Sequence, residues 1–533
     1  MEEEKKKKRE STFGIDFGTS NTVVTYFMRD RIVCYPNQDN LPFVQSIVAL
    51  SSTNELLIGR AADRYTKPLF RARNVKYLLG KVTPECQDIS DVYYDAALGD
   101  SNGEPILVYE SKDKKIAKTP EEIVTNFIRV LKTEVERKTG REFTDVVLTV
   151  PTTYRTRQKT ALKRAARYAG LNVAGVYSEP TAAGLHYQLS MSTKPKGVFL
   201  VFDFGGGTLD LSLMYCKDNV YTTLASAGNH HLGGNDINRV LMEYVETTYR
   251  TDYGEPLFEG NSVATKKRRD LLNQTVEEAK IRLQELNDET ADITYEDDTG
   301  EPLSLNLTNA HLDKLISHQL SEVRDVLQDL AKHFVKEYDN KSVGGFHVSK
   351  DDDSEGTLQA IVSSVILVGG SSKLRSVQRL LRDYFGDIIF VDEDTQLCVS
   401  KGAMEAMFMI DDPLKSVREV LFHALVVKAD GKAIGTVPRG TSIPFATQWC
   451  ARQQRNRSTI QVAIYEVDKE SEEEKETLLV EGTVPVERSF AQMQPYLQAK
   501  VDVNVEGVIT AVISNPLTGF VTVVGTADLW RVC

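Results

Sequence analysis

The chain lacks the long apolar runs and paired cysteines typical of membrane or secreted proteins. No segment approaches the roughly 18 consecutive apolar residues of a membrane-spanning helix. The Glu- and Lys-rich start has no apolar stretch of the kind a signal peptide needs. Its 6 cysteines are scattered without a Cys-x-x-Cys pair, which fits reduced thiols better than disulfides or zinc. We therefore expect a soluble, cytoplasmic protein.

An excess of positive charge is also absent. The formal net charge of -12 at pH 7 argues against a general nucleic-acid binder. With 533 residues, of which 41% are hydrophobic and 26% charged, the chain is globular and too long for a single core. We expect two or more domains, no membrane partner and no direct specific contact with nucleic acid.

One short pattern occurs twice, first as Ile15-Asp16-Phe17-Gly18-Thr19 and then as Phe202-Asp203-Phe204-Gly205-Gly206-Gly207-Thr208. Apolar residues flank both turns, so each is predicted to be a β-hairpin. This excludes a Walker-type loop, which joins a strand to a helix and carries Gly-Lys-Ser/Thr. The pair predicts a nucleotide held between two related lobes. Each lobe would offer backbone N–H groups to phosphate and an aspartate towards a hydrated metal ion.

Other local patterns predict the elements around these turns. Thr119 is expected to cap a helix, with Glu122 completing a capping box. The strand Val365 to Val368 is expected to run through Gly369-Gly370-Ser371 into a helix whose free N–H groups face an anion. The segment 344–356 has no apolar period and predicts an exposed, mobile loop. Beyond about residue 415, alternating valines such as Val501 and Val503 predict a small β domain.

Six longer motifs follow one another in a familiar order. They are GIDFGTSN from Gly14, VPTTYRTRQKTAL from Val150, AGLNVAGVYSEPTAA from Ala169, VFDFGGGTLDLS from Val201, HLGGND from His231 and VILVGGSSKL from Val365. In these motifs the chain resembles the DnaK-type chaperones of the heat-shock protein 70 family.

The resemblance implies an α/β fold: an actin-like (ribonuclease H-like), two-lobed ATPase domain followed by a small β-sandwich of the peptide-binding type. The corresponding divisions are a charged tail over 1–11, a nucleotide-binding domain over 12–410, a linker over 411–424 and the β-sandwich over 425–533. Within the nucleotide-binding domain, lobe I spans about 12–194 and lobe II about 195–410. No helical period remains after the β domain, so we expect a short, atypical member without a helical lid.

The resemblance also implies roles for individual residues. Asp16 and Asp203 match aspartates that hold Mg²⁺ through water, Glu179 matches the acidic residue near the metal and the attacking water, and Lys76 matches the catalytic lysine. With Thr208 these form the catalytic set, and the chemistry is in-line attack of water on the γ-phosphate of ATP. The residues matching the ATP or ADP site are Gly18, Thr19, Ser20, Gly205, Gly206, Gly207, Gly233, Gly234, Glu277, Lys280, Gln284, Gly369, Gly370, Ser371 and Lys373.

Departures from the family pattern cluster at the adenosine end. Ile281 and Lys373 stand where the family has arginines that sandwich adenine, Gln284 replaces a serine and Gln396 an aspartate. Loss of two guanidinium planes removes stacking of about 0.5 to 2 kcal/mol each. We therefore expect weaker nucleotide binding than is usual in the family. Gly175 and Ala424 replace residues that serve the J-domain co-chaperone, so weak stimulation by an ordinary J-domain is expected.

Three functions can be compared with these sequence features. The first is an ATP-dependent chaperone in protein folding and the stress response, which hydrolyses ATP to control contact with unfolded or nascent polypeptide. The second is an ATP-binding subunit of a complex with the ribosome or a J-domain protein, in which hydrolysis is weak or dispensable. The third, a sugar or acid kinase on the same fold, is disfavoured because such an enzyme has no use for the β tail. Candidate partners are a J-domain co-chaperone, a nucleotide-exchange factor and the ribosome.

Overall fold

The computed structural model of the chain describes residues 11–29, 31–84, 86, 96–111, 114–152, 154–190, 197–217, 220–229, 231–260, 263–285, 290–296, 303–391, 395–409, 419–421, 423–439, 441–443, 445–452, 459–468, 475–485, 496–503, 509–515 and 520–526. None of the helices in these ranges is both long and apolar enough to cross a membrane. Most of the predicted N-terminal tail lies outside them.

The first α/β region, called lobe I here, begins with the predicted hairpin. Its elements are β1 (Thr12–Phe17), β2 (Asn21–Met28), β3 (Arg31–Cys34), β4 (Val44–Gln45), β5 (Val48–Leu50), β6 (Leu56–Ile58), α1 (Gly59–Arg64), β7 (Phe70–Ala72), a 3-10 turn (Val75–Tyr77), β8 (Ala97–Ser101), β9 (Glu104–Ser111), β10 (Lys114–Lys118), α2 (Pro120–Thr139), β11 (Asp145–Val150), α3 (Thr156–Tyr168), β12 (Asn172–Ser178) and α4 (Glu179–Ser190). The main sheet has the order β12-β11-β1-β2-β3. The predicted capping box on α2 is present, because Thr119 and Glu122 each accept the other's backbone N–H.

The second α/β region, called lobe II, begins with the second hairpin. Its elements are β13 (Gly197–Phe204), β14 (Leu209–Lys217), β15 (Val220–Asn229), α5 (Gly234–Tyr253), α6 (Val263–Glu285), β16 (Thr290–Tyr295), β17 (Leu303–Thr308), α7 (Asn309–Leu315), α8 (Ser317–Glu337), β18 (Lys341–Val343), β19 (Phe346–Val348), α9 (Ser354–Ile361), β20 (Val362–Val368), a 3-10 turn (Gly370–Lys373), α10 (Arg375–Phe385), β21 (Ile389–Phe390) and α11 (Cys398–Met409). Its main sheet has the order β15-β14-β13-β20-β21.

The two main sheets share one topology. In each, the first strand pairs antiparallel with the second, as β1 with β2 and β13 with β14. It also pairs parallel with a later strand, as β1 with β11 and β13 with β20. Asp16 and Asp203 are therefore the penultimate residues of equivalent strands, and the two hairpin turns occupy equivalent places in the two lobes.

The helix α11 packs on lobe I, although its place in the sequence falls within the predicted lobe II. The Ser400 hydroxyl lies 3.2 Å from the Gly14 carbonyl oxygen of β1, and the Thr25 hydroxyl donates to the Ser400 carbonyl oxygen at 2.9 Å. Ala403 and Met407 bury their side chains against Val147 of β11. The chain thus returns to the first sheet after it has completed the second.

The remaining strands form an antiparallel β region. They are β22 (Glu419–Val420), β23 (Ala424–Ala429), β24 (Lys432–Val437), β25 (Ser442–Ile443), β26 (Phe445–Arg452), β27 (Thr459–Asp468), β28 (Lys475–Pro485), β29 (Tyr496–Val503), β30 (Ile509–Asn515) and β31 (Phe520–Thr526). Two four-stranded sheets, β24-β23-β27-β28 and β26-β29-β30-β31, share one apolar core. Val501 and Val503, whose alternation predicted a strand, are buried in it.

The β region contacts both lobes through polar groups. Arg155 of lobe I donates from Nη1 to the Thr477 hydroxyl of β28 at 3.1 Å. The Thr156 hydroxyl, at the start of α3, donates to Oε1 of Glu466 in β27 at 3.2 Å. Arg439 donates from Nη2 to the Ser226 carbonyl oxygen of lobe II at 3.2 Å.

One sequence expectation about a loop was wrong. The segment 344–356 is not a mobile loop, because Phe346–Val348 pairs with Lys341–Val343 and Asp353 caps α9. The aspartate accepts from the Glu355 and Gly356 backbone nitrogens, so the acidic run serves helix capping. The predicted linker 411–424 lies largely outside the described residues, and Glu419–Val420 within it pairs with Ser442–Ile443.

Candidate functional site

A cleft of about 460 Å³ lies between the two lobes, at the ends of β1 and β13. Both hairpin turns open into it, together with α6 and the turn before α10. The sequence-predicted residues that line it are Asp16, Gly18, Thr19, Ser20, Lys76, Glu179, Asp203, Gly205, Gly206, Gly207, Thr208, Gly234, Glu277, Lys280, Gln284, Gly369, Gly370, Ser371 and Lys373. Gly233 is not in the lining, because it forms the N-cap of α5 behind the second turn.

The two hairpin turns have the same backbone geometry. In lobe I the Gly18 N–H donates to the Asn21 carbonyl oxygen at 3.0 Å, and in lobe II the Gly205 N–H donates to that of Thr208 at 3.0 Å. The two turns into the cleft are thus closed by equivalent hydrogen bonds, in line with the repeated sequence pattern.

The second turn is held in place by hydrogen bonds to its carbonyl groups. The Gly205 carbonyl oxygen accepts from the Gly234 N–H at 3.0 Å and from the Ser371 hydroxyl at 2.8 Å. The Gly206 carbonyl oxygen accepts from the Asn235 N–H at 2.7 Å. The N–H groups of Gly206 and Gly207 have no hydrogen-bond partner among the described residues, so they remain available to an anion in the cleft.

The close packing behind this turn requires glycine at Gly234. A Cβ there would lie 2.6 Å from the Ser371 hydroxyl oxygen and 3.2 Å from Nζ of Lys280. Lys280 is itself buried and donates to the Gly234 carbonyl oxygen at 2.9 Å and to Oδ1 of Asn238 at 2.7 Å. Burial lowers the pKa of Lys280.

A buried ion pair crosses the floor of the cleft. Nζ of Lys76, from the first 3-10 turn, lies 2.8 Å from Oε1 of Glu179 at the start of α4. The Tyr154 hydroxyl donates to the Lys76 carbonyl oxygen at 3.2 Å and holds the turn in place. Burial lowers the pKa of Lys76, but the negative charges of Glu179 and Asp16 outweigh this and raise it, so the side chain is an ammonium at neutral pH.

Further carboxylates surround this pair. Burial, followed by the charge of Glu179, raises the pKa of Asp16 to about 7, although Thr149 donates to its Oδ1 at 3.1 Å. Burial also raises the pKa of Asp203 well above its usual range, and the neighbouring carboxylates of Glu179 and Asp210 add to the effect. Asp210 lies directly across the hairpin from Asp203. Crowded buried carboxylates of this kind favour a cation between them.

The same groups fit a hydrated magnesium ion. Within the described ranges, no three His, Cys, Asp or Glu side chains come close enough together to hold a metal ion directly. Mg²⁺ keeps several of its waters and binds through few protein carboxylates and through substrate phosphates. The donor chemistry here is therefore that of a water-mediated site for a phosphate-bound ion.

At the other end of the cleft, the replaced residues have clear positions. Ile281 lies off the buried stripe of α6 and exposes 42% of its surface, as its helical position predicted. Gln284 is already hydrogen-bonded: its Oε1 accepts from the Arg375 N–H at 2.9 Å and its Nε2 donates to Asn309 at 3.4 Å. The first N–H of α10 is thus used by Gln284 rather than offered to an anion, contrary to expectation.

Sequence reasoning missed several polar groups in or behind the cleft. Nδ2 of Asn235 and the Thr395 hydroxyl oxygen line the cleft, are buried and have no hydrogen-bond partner in the described part of the chain. Buried donors in this state are costly unless a ligand satisfies them. The residue after Gly234 was a recognisable candidate, because it opens a helix next to a phosphate turn, but nothing local identifies Thr395 or Asp210.

Arg73 joins the two lobes beside the cleft, and the sequence pattern did not indicate this either. Its Nη2 lies 2.5 Å from Oδ1 of Asp63 in lobe I, and its Nη1 lies 2.9 Å from Oδ1 of Asp270 in α6. All three side chains line a smaller cavity of about 230 Å³ that adjoins the main cleft.

Comparison with known proteins agrees with this geometry. A family model described as Hsp70 protein matches residues 12–345. The chain is 26% identical to the chaperone protein dnaK of Cyanidioschyzon merolae, with 97% of this chain and 82% of the relative covered. It is 26% identical to heat shock 70 kDa protein 7, chloroplastic, of Arabidopsis thaliana, with 98% and 70% covered. The match to the family model spans more than half of the chain, and the chain belongs to the Hsp70 family.

Proposed function

We propose that the protein binds Mg²⁺-ATP in the interlobe cleft and hydrolyses it slowly, and that this cycle controls its contact with unfolded or nascent polypeptide. The observation that supports it best is the convergence of the Lys76–Glu179 ion pair, Asp16 and Asp203 between two matching phosphate turns. Family membership supports an actin-like two-lobed fold and a chaperone role.

In this proposal the side chains act by positioning and by charge. Lys76 is charged and held by Glu179, so it can stabilise negative charge that develops on the γ-phosphoryl oxygens. Thr19 and Thr208 lie on opposite turns and orient phosphate or the attacking water. Mg²⁺, held through water by Asp16 and Asp203, would neutralise phosphate charge.

The domain organisation proposed with this function follows the sequence divisions. Residues 12–410 form the nucleotide-binding domain, 411–424 the linker and 425–533 a β-sandwich that receives polypeptide. The shared core of the two antiparallel sheets supports the sandwich assignment. The contacts of Arg155, Thr156 and Arg439 provide a physical connection between this unit and both lobes.

Single-turnover hydrolysis of ATP by the full chain tests the proposal. We expect slow release of phosphate from the wild type and a loss of about 10² to 10³-fold in the Lys76→Ala variant, because a preorganised charge at the phosphoryl group is removed. Lys332→Ala, which removes a lysine with 63% of its side chain exposed, is the matched control and should retain the wild-type rate.

A second function, an ATP-binding subunit without turnover, is favoured by the altered adenosine end. Exposed Ile281 and the engaged Gln284 support weak retention of nucleotide. Binding of ATP by both the wild type and Lys76→Ala, with no hydrolysis by either, would reject the first function in favour of this one. Binding is measured separately, by calorimetry, so that a misfolded variant is not mistaken for an inactive one.

A further inference from the structure

The nucleoside end of the cleft is a slot between α6 and the turn before α10. Ile281 of α6 and Leu374, which follows this turn, are two aliphatic residues in the lining. The slot is closed where Gln284 of α6 accepts from the Arg375 N–H of α10. Since the Gln284 amide is held by this contact and by Asn309, its oxygen and its nitrogen each have a partner and its orientation is fixed.

Gln396 is the second side-chain amide of the slot, and its hydrogen bonding differs from that of Gln284. Its Nε2 lies over Gly370, 2.8 Å from the position that a Cβ would take there. Its amide makes no hydrogen bond within the described ranges, and the side chain is only partly buried. A free carboxamide offers an NH₂ group as donor and a carbonyl oxygen as acceptor, and rotation about its terminal bond exchanges them at little cost.

We propose that this slot binds purine nucleotides without selecting adenine over guanine, and that Gln396 is the side chain that serves either base. The inference rests on the proposed nucleotide binding and adds the base preference of the same site. Adenine carries an amino donor at the position where guanine carries a carbonyl acceptor. A carboxamide that rotates freely matches both.

The expected difference between the dissociation constants for ATP and GTP follows from the way binding sites discriminate between similar ligands. Rejection by 10⁴-fold or more requires fixed buried polar groups that an incorrect ligand leaves unpaired, whereas aliphatic walls discriminate weakly. In this slot the Gln284 amide is already paired, and the two unpaired groups, the Gln396 carboxamide and the neighbouring Thr395 hydroxyl, can each donate or accept. The dissociation constants of Mg²⁺-ATP and Mg²⁺-GTP should therefore agree within about tenfold.

The test is calorimetric titration of the full chain with Mg²⁺-ATP, Mg²⁺-GTP and Mg²⁺-tripolyphosphate. We expect both nucleotides to bind within about tenfold of each other, and tripolyphosphate to bind at least about tenfold more weakly because it lacks a base. A preference of more than tenfold for ATP overturns the inference and leaves the proposed function standing. Equal binding of tripolyphosphate overturns it as well, since the base would then not be held. If none of the three binds, both proposals fail.

The Gln396→Glu variant tests the assigned residue. A carboxylate only accepts, so it cannot match both bases, and the ratio of the two dissociation constants should change by about tenfold or more. The ratio corrects for any general loss of binding through repulsion of the phosphates. Gln461→Glu on the exposed side of β27 adds the same charge away from the slot and should leave the ratio unchanged. An unchanged ratio in Gln396→Glu overturns the role of Gln396.

Discussion

Ile281 is an exposed aliphatic side chain in the wall of the interlobe cleft, at a position where the resemblance to the family implies an arginine. Exposing 42% of an isoleucine gains nothing for folding, since the buried stripe of α6 is formed by Val276, Ala279 and Leu283. We therefore expect its replacement to change ligand binding more than stability. At the residue scale, the Lys76–Glu179 pair makes one part of the cleft charged, whereas Ile281 adds an aliphatic surface to another part.

Replacing this isoleucine should tighten nucleotide binding. The Ile281→Arg variant supplies a guanidinium plane for the base, and stacking of about 0.5 to 2 kcal/mol corresponds to about a 2- to 30-fold lower dissociation constant for ATP. Titration calorimetry measures it. Leu271→Arg adds the same group at another exposed apolar site of α6 and is the control. Equal tightening by both variants would indicate a general charge effect instead of stacking.

Much of the candidate site could be predicted from the sequence because its chemistry is local. Asp16 and Asp203 lie within the repeated hairpin pattern, and Gly234 follows from the turn and helix around it. The pairing of Lys76 with Glu179 joins residues 103 positions apart and depends on how two elements meet in space. Local patterns carry no information on such distances, so the partner of Gln284 was missed for the same reason.

At the scale of secondary-structure elements, Arg73 connects lobe I to α6 beside the cleft through its ion pairs. The guanidinium lies between Asp63 and Asp270, and each of the three side chains exposes at most 20% of its surface. Lobe separation must break the contact with Asp270, whereas the contact with Asp63 stays within lobe I. This pair therefore favours the closed arrangement of the cleft.

Its removal should accelerate nucleotide release. A partly buried pair contributes about 0.5 to 1 kcal/mol, so Arg73→Ala is expected to increase the dissociation rate of a fluorescent ATP analogue about 2- to 5-fold in stopped-flow measurements. The control is Arg379→Ala, which breaks a pair with Asp313 inside lobe II. A dissociation rate that does not change in Arg73→Ala would show that the pair does not hold the lobes together.

Individual strands and helices were predicted correctly where a single local sequence feature determines them. The two hairpins follow from apolar runs on either side of a glycine turn, and α2 follows from Thr119 and Glu122. The segment 344–356 was misread because its acidic residues suggest solvation, yet Asp353 uses its carboxylate to cap α9. Capping and exposure favour the same residue types, so composition alone does not separate them.

At the scale of the whole molecule, Glu466 is a buried titratable group where the β region contacts lobe I. Its Oε1 accepts from the Thr156 hydroxyl, and its Oε2 is buried without a hydrogen-bond partner in the described ranges. Burial raises the pKa of Glu466 above its ordinary value of 4.5, although Lys159 and Arg155 oppose this. The docked arrangement therefore binds the proton more strongly than the separated one.

Docking of the β region should accordingly weaken as pH rises. A carboxyl whose pKa is raised by docking favours docking while it is protonated, and that contribution is lost as pH rises from 4.5 through the raised value. Small-angle scattering of the full chain in a series from pH 4.5 to 7.5 should show a radius of gyration that increases with pH. In Glu466→Gln this part of the pH dependence should disappear. An identical pH dependence in both proteins would assign the titration to another group.

Because α11 packs on lobe I, the first lobe to be synthesised is completed only by a helix that is synthesised after lobe II. The β1 carbonyl of Gly14 and the apolar face of Val147 are made early, but Ser400, Ala403 and Met407, which cover them, are made after all of lobe II. During translation the first lobe therefore exposes an uncovered sheet face until residue 409 has emerged. A nascent chain of this protein is itself a partly folded polypeptide with exposed apolar surface for most of its synthesis.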